Sequence, residues 1–295
     1  VCHTCRRCFN LCDSFPRLFD LIDESKTGEL DSVAKGDYAK VDEACTLCDM
    51  CFMTKCPYVP PHPFDIDIPH LILHYRAAKR KAGYREFVRE QLGQTDRNGK
   101  LAKPFAGVVN AMSARANTPL RKLLEAIAEI DAEAELPKYH SRTATDRLKS
   151  PLAPNPKGPA FGQRKVALYA TCFVDYNEPD TAVAAAKVLA LQGVDVKLVY
   201  PECCGMPQLE AGDLKEVAGR AERVANVFAP LIADGYDVVA LTASCGLMMK
   251  FEWPLIEPAN NAVVALSAAT KDICEYVVEL QKAYGLAPGL NSVEG

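Results

Sequence analysis

The sequence predicts an α+β chain of two domains: a helical, cysteine-dense N-terminal domain and a C-terminal α/β domain built on a parallel sheet. Three observations carry this expectation. The length of 295 residues suggests two domains at ~150 residues each. Eight of the 13 cysteines fall in two tightly spaced runs before Pro57. From about residue 165, short apolar runs alternate with helical periods, as in βαβ units.

Composition narrows the class. Hydrophobic residues make up 49% and charged residues 24%, the ordinary globular range. Thirteen cysteines in a chain of this size do not fit a small disulfide scaffold, because the chain is long enough to bury a core without staples. A net charge of −4 argues against a nucleic-acid binder, which needs a basic face to neutralise phosphates. There is no run of 18 apolar residues, hence no candidate membrane span. Val1 is not a methionine and Cys2 follows at once, so the chain reads as trimmed at its N-terminus. Reduced, metal-bound thiols favour the cytoplasm, with a peripheral position on the cytoplasmic membrane face as the other reading.

The N-terminal domain is expected over residues 1–136. Residues 1–68 are acidic, net −5, and 69–103 are basic, net +6. The basic stretch carries apolar residues at helical spacing from His70 to Leu92. It reads as a solvated helix face, or as a docking surface for an acidic partner or a membrane. Further helices are expected at Phe15–Asp23, Pro104–Arg115 and from Pro119 to about Glu135, the last capped by Thr118. Residues 137–164 hold Pro137, Pro151, Pro154, Pro156 and Pro159 and read as a linker. The second domain, 165–295, is expected to place strands at Val166–Thr171, Asp195–Tyr200, Asp237–Thr242 and Val263–Leu266. Helices are expected at Glu178–Leu191, Gly212–Asp234 and from Ala269 to about Ala283.

The first constellation is Cys2-x2-Cys5-x2-Cys8-x3-Cys12 followed by Cys45-x2-Cys48-x2-Cys51-x4-Cys56-Pro57. Three thiolates at x2 spacing wrap one face of a cubane, and the fourth comes from elsewhere. In two-cluster ferredoxins the fourth cysteine of each run ligates the other cluster. Transferred here, Cys2, Cys5, Cys8 and Cys56 hold one 4Fe–4S cluster, and Cys45, Cys48, Cys51 and Cys12 hold the second. Structural zinc prefers two separated Cys-x2-Cys pairs. Cys12 is followed by Asp13 rather than proline, and the second run ends on an x4 gap. The 32 residues between Cys12 and Cys45 are too many for a compact β-type ferredoxin. A helical ferredoxin domain is expected, similar to that in the iron–sulfur components of succinate-dehydrogenase-type enzymes. Arg6 and Arg7 flank the first run, either tuning it or simply solvated.

The second constellation is Cys172, Cys203-Cys204-Gly205 and Cys245, each just beyond a predicted strand. The carboxyl ends of parallel strands share one edge, where ligands bind, so these thiols are expected to converge. Three readings stand open: an iron–sulfur or other metal centre on all four, a redox thiol or disulfide at Cys203 and Cys204, and a structural set of buried thiols. Cys274, in the last predicted helix, reads as core packing. His70 and His74, four apart on one helix, lack the glutamate of a metalloprotease motif and read as surface histidines.

The run Cys172-Phe-Val-Asp-Tyr-Asn-x-Pro179, then Cys203-Cys204-Gly205-x-Pro207, then Ser244-Cys245, resembles the cysteine-rich CCG domain. That family includes the CCG-bearing component of heterodisulfide reductase and the iron–sulfur components of glycolate oxidase and of anaerobic glycerol-3-phosphate dehydrogenase. With the double cluster motif, the chain most resembles the last kind and heterodisulfide-reductase-related iron–sulfur proteins. Two features depart from the family: Met248 stands where a Cys-x2-Cys pair would place a further cysteine, and a second CCG domain is not in this chain. The resemblance implies an electron-transfer subunit between a flavoprotein dehydrogenase, or another redox protein, and a quinone or other acceptor. Two alternatives are a heterodisulfide- or thiol-reductase-like enzyme working at the CCG site, and an electron donor to a rubrerythrin-like di-iron peroxide reductase. No catalytic Ser/His/Asp set, phosphate loop or Gly-x-Gly-x2-Gly motif is present, so the expectation leans toward a relay rather than a catalytic subunit.

Overall fold

A computed structural model describes residues 1–289. They form two compact units. The first holds Val1–Arg85 together with the short segment Leu209–Asp213. The second holds Glu86–Gln208 and the chain from Leu214 onward.

The first unit is helical and irregular, because two cysteine runs leave little room for regular structure. A single turn at Cys2–Cys5 ends on Arg6 in the left-handed region. The helix Ser14–Asp23 buries Phe15, Phe19 and Ile22 on one face, the 3–4 spacing of an amphipathic helix. It packs on the short helix Ala39–Glu43, where Ser14 Oγ donates to Val41 O at 2.8 Å. The longest element, Ile68–Lys81, opens on a hydrogen bond from His70 N to its cap Asp67 and has proline in its first turn, as helix starts favour. His70, half-buried, also pairs with Asp67 through its ring, Nδ1 to Oδ2 at 2.6 Å. The basic stretch read as one helical face is broken after Lys81. It resumes as Phe87–Leu92 and Thr95–Ala102 in the second unit.

The second unit is built on a four-stranded parallel sheet in the order β2-β1-β3-β4. The strands are β1 (Lys165–Tyr169), β2 (Asp195–Val199), β3 (Tyr236–Ala240) and β4 (Thr270–Asp272). Val166 through Tyr169 are all fully buried, the continuous apolar run of a strand covered on both faces. Val166, Leu168 and Val239 pack with Leu189, Tyr276 and Leu280 from the helices Pro179–Leu191 and Ile273–Tyr284. Tyr169 meets Phe228 of the helix Leu214–Ala233, ring centroids 6.1 Å apart.

Two sequence expectations are corrected here. Val263–Leu266, read as the fourth strand, lies in the helix Asn261–Ala269. The side chain of Asn260 caps that helix by accepting from Ala262 N and Val263 N. Val263 and Leu266 are both fully buried, a three-residue spacing that suits a helix, and a four-residue apolar run cannot settle the period by itself. The fourth strand is Thr270–Asp272 instead. Cys274, read as core, is exposed, because Tyr276 and Leu280 occupy the buried face of its helix.

Residues 86–136, expected in the N-terminal domain, lie in the second unit. Gly99 is pressed against Tyr176 so closely that a Cβ would come within 2.3 Å of the ring. The Pro-rich segment 137–164 also packs in this unit. Ala144 and Ala160 are buried, Asn155 N donates to Ala190 O at 2.8 Å, and Ala160 N donates to Gln192 O at 2.9 Å. A Cβ at Gly158 would stand 2.4 Å from Gly193 N, so the backbones touch where only glycine fits.

Two helical glycines should respond oppositely to alanine. Gly99→Ala meets the Tyr176 ring and should cost about 1–3 kcal/mol. Gly107→Ala, with open space around it, should gain about 0.5–1 kcal/mol. Urea midpoints measured under anaerobic conditions check both signs.

Acid should also weaken the second unit. A hydrogen bond from Lys103 holds the Asp146 carboxyl below its ordinary value, Lys250 does the same for Glu275, and Lys271 with Arg164 does so for Glu279. The folded state therefore binds fewer protons than the unfolded one, and this stability is complete above the unfolded carboxylate range and lost as pH falls through the lowered values. Melting temperature should be level above about pH 5 and fall below about pH 4. An acid limb unchanged in Lys103→Met/Lys271→Met would show that these pairs contribute nothing.

Candidate metal and thiol centres

In the first unit the eight cysteines line neighbouring cavities, one of them shared by Cys2, Cys8, Cys51 and Cys56. Cys2, Cys5, Cys8 and Cys56 line one, with Phe15 and Phe19 as apolar walls. Cys12, Cys45, Cys48 and Cys51 line the other, with Leu11 and Ile72 nearby. The chain crosses over to do this: Cys56 closes the first cavity from the second run, and Cys12 closes the second from the first run. Left-handed residues Leu47 and Asp49 turn the chain between successive cysteines. Leu47 N donates to Cys45 Sγ at 3.5 Å. Burial, with the neighbouring thiols adding to it, pushes Cys8 up to about 11 and Cys51 up to about 12. An iron centre held by these sulfurs would stabilise them as thiolates at neutral pH.

The donor chemistry suits iron–sulfur clusters. Each cavity presents four sulfurs and largely apolar walls. Among the described residues, no group of three or more His, Cys, Asp or Glu side chains is arranged to hold a single metal ion.

Two arginines organise this unit, and the sequence singled out only one of them. Arg6 makes a two-pronged pair with Asp23 at 2.6 and 2.5 Å and lies over the Phe19 ring. That ties the first cysteine run to the helix Ser14–Asp23. Arg76 is buried and donates to Asp42 Oδ1 at 2.6 Å, to Cys45 O at 2.7 Å and to Glu210 O at 3.0 Å. It fixes the start of the second cysteine run to the helix Ile68–Lys81.

In the second unit the four remaining candidate cysteines come together at the carboxyl edge of the sheet. Cys172 Sγ donates to Cys203 Sγ at 3.5 Å, and Cys204 Sγ donates to Cys245 Sγ at 3.2 Å. Cys203, Cys204 and Cys245 are buried and Cys172 is half-buried. The hydrogen bond from the Cys172 thiol holds Cys203 well below the ordinary thiol value. Its hydrogen bond to Cys203, then burial, raises Cys172. Both sulfur separations are shorter than the edge of about 3.8 Å that a tetrahedral site with 2.3 Å metal–sulfur bonds requires. In this arrangement the set fits two thiol pairs better than a metal cage.

The backbone around the vicinal pair is tied at every step. Tyr169 Oη donates to Glu202 O at 2.6 Å. Asp96 accepts from Cys203 N at 2.9 Å. Trp253 Nε1, fully buried, donates to Cys204 O at 3.1 Å. Gly205 then turns the chain at φ +87°. At the end of β1, Thr171 sits at φ 55°, caps the helix Cys172–Tyr176 through Val174 N, and meets Thr242 beyond β3 at 3.0 Å. Sequence reasoning missed Asp96, Thr171, Tyr200, Arg220 and Trp253. None lies in a recognisable motif, and Asp96 is 107 residues from the cysteine it holds.

This fold and site define a class: the segment 166–250 is a cysteine-rich CCG domain. The chain is related to a subunit of the anaerobic glycerol-3-phosphate dehydrogenase of Escherichia coli K12, with 31% identity over 203 residues, covering 68% of this chain and 49% of that protein. It is also similar to a subunit of the fumarate reductase (CoM/CoB) of Methanothermobacter marburgensis, 30% identical over 92 residues, covering 30% and 18%. Lactate utilization protein A of Geobacillus kaustophilus is 31% identical over 134 residues, covering 43% and 53%. The chain thus spans about half the length of the first of these relatives. No solved structure matches it. Among the described residues, no helix is long and apolar enough to cross a membrane.

Removing Arg76 should test the second cavity. Arg76→Ala leaves Asp42 buried without its main partner, which should cost about 3–5 kcal/mol. The loss should reduce iron at Cys12, Cys45, Cys48 and Cys51 before iron at the other quartet, read by EPR after anaerobic purification.

Proposed function

We propose that the chain is an iron–sulfur electron-transfer subunit that relays electrons between a flavoprotein dehydrogenase and a quinone or another acceptor. The observation that supports this best is the pair of four-sulfur cavities, one lined by Cys2, Cys5, Cys8 and Cys56 and the other by Cys45, Cys48, Cys51 and Cys12, with a third between them that Cys51 shares with Cys2, Cys8 and Cys56. A 4Fe–4S cluster, when bound, takes up and gives up one electron at a time. The protein's part is to hold the sulfurs, wall them with Phe15 and Phe19, and fix both runs through Arg6 and Arg76. The relatives named as subunits of a dehydrogenase and of a reductase support a redox partner, and a glycerol-3-phosphate dehydrogenase-like flavoprotein is the kind we favour. Free thiols throughout suit a reducing compartment.

A second reading has its own observation. The Cys172–Cys203 and Cys204–Cys245 contacts suit thiol–disulfide exchange, as in a heterodisulfide- or thiol-reductase-like enzyme. There the pair's S–S bond would form as the substrate's S–S bond breaks to two thiols.

Iron and sulfide analysis with EPR on anaerobically purified protein tests the relay. About eight irons are expected for two cubanes. About twelve, with one signal lost in Cys204→Ser, would add a third cluster on the CCG thiols. Fewer than four would overturn the proposal. Cys12→Ser should disturb the cluster of Cys45, Cys48 and Cys51 and spare the one beside it in sequence. The opposite pattern would overturn the pairing.

A further inference from the structure

The helix Ser14–Asp23 begins just after Cys12, and its second residue stands at every one of the sulfur cavities. Phe15 lines the cavity of Cys2, Cys5, Cys8 and Cys56. It also lines the cavity of Cys12, Cys45, Cys48 and Cys51. The third cavity, where Cys51 meets Cys2, Cys8 and Cys56, has Phe15, Phe52, Ile66 and Ile68 as its remaining walls. Among the described residues, Phe15 is the one common to all three.

Its place is fixed from both sides. Ser14 Oγ ties the start of the helix to Val41 O at 2.8 Å. One turn on, the Phe19 ring lies 6.1 Å from the Phe15 ring, centroid to centroid, and Arg6 stands over Phe19 at 5.1 Å. Phe15 is only 5% exposed, so its ring faces the cavities rather than the surface. The neighbouring walls are one-sided. Phe19 lines the cavity of the first quartet alone, and Ile72 that of the second.

We infer that the Phe15 ring is the shared wall of both cluster sites, and that it sets the reduction potential of both clusters at once by keeping water from the sulfurs around it. The inference rests on the relay reading, in which each quartet holds a 4Fe–4S cluster. A cluster on four thiolates gains one negative charge when it is reduced. Apolar surroundings penalise the more highly charged form, and the hydrophobic shell and solvent exposure of a cluster are among the levers that set its potential. Phe15 therefore makes both clusters harder to reduce. Opening that wall should raise both potentials together, whereas opening a one-sided wall should raise one.

The test is a dithionite titration with mediator dyes, followed by EPR, on the anaerobically purified full chain. Dithionite gives one electron to each cluster, and signals are assigned by their loss in Cys12→Ser and Cys56→Ser. Iron is counted first. Fewer than about four irons in the wild-type protein overturns the relay reading and this inference with it, whereas with about eight present the potentials alone decide. Phe15→Ala should shift both clusters toward the reduced form by up to roughly tenfold at a fixed potential, a rise of about 59 mV for a one-electron centre. Phe19→Ala should raise only the cluster of Cys2, Cys5, Cys8 and Cys56, and Ile72→Ala only the other. Phe15→Leu, which keeps an apolar wall, should restore wild-type potentials. If Phe15→Ala holds less iron than the wild type, Phe15→Val gives the reading, with the same sign. A rise in only one cluster, or in neither, overturns the inference. So does a Phe15→Leu protein displaced as far as Phe15→Ala, since that marks a general loosening of the unit.

Discussion

The turn Glu202-Cys203-Cys204 leaves the sheet edge with both cysteines buried, so its peptide groups need partners from the protein. A buried backbone donor or acceptor without a partner costs about as much as a lost hydrogen bond. Tyr169, Asp96 and Trp253 meet that demand one group at a time. They come from β1, from a helix more than a hundred residues upstream and from the segment after Cys245. The adjacent thiols can sit together only because these three distant residues satisfy the backbone between them. Gly205 then supplies the left-handed turn that lets the chain leave.

The same logic runs at lower cost in the first unit. Its cysteine runs make few regular hydrogen bonds, so side chains take over. Arg76 serves the Asp42 carboxylate and three carbonyls at once, and Arg6 closes on Asp23. A planar guanidinium with five donors suits this work better than a lysine. The two units therefore share a design: thiols at the centre, and a buried polar network that fixes the backbone carrying them.

Much of this was legible in the sequence, for identifiable reasons. The eight-cysteine spacing is a local signal, and it marks Cys2 through Cys56 as one chemical set within a few residues of chain at a time. The parallel sheet followed from alternating apolar runs, and it placed Cys172, Cys203, Cys204 and Cys245 at one edge because parallel strands end on the same side. The misreadings were also physical. Val263–Leu266 was too short for its period to decide between strand and helix, and the Asn260 cap settled it. Cys274 has the residue type of a core position but the wrong helical phase. The proline-rich stretch looked like a free linker, yet Asn155 and Ala160 bind the end of the helix Pro179–Leu191. Nothing in a proline count reveals that.

The sequence alone determined what is local or periodic: cysteine spacings, strand–helix alternation, caps and left-handed glycines, each set by neighbours within a few residues. Only the tertiary structure decided the rest. It brought Asp96 to the Cys203 peptide, set Arg76 on Asp42, and gave the sulfur separations of 3.5 and 3.2 Å. Those depend on which buried donor meets which acceptor across the fold. Pairing of that kind is governed by packing and by the cost of an unsatisfied polar group, and it leaves no spacing in the chain to read.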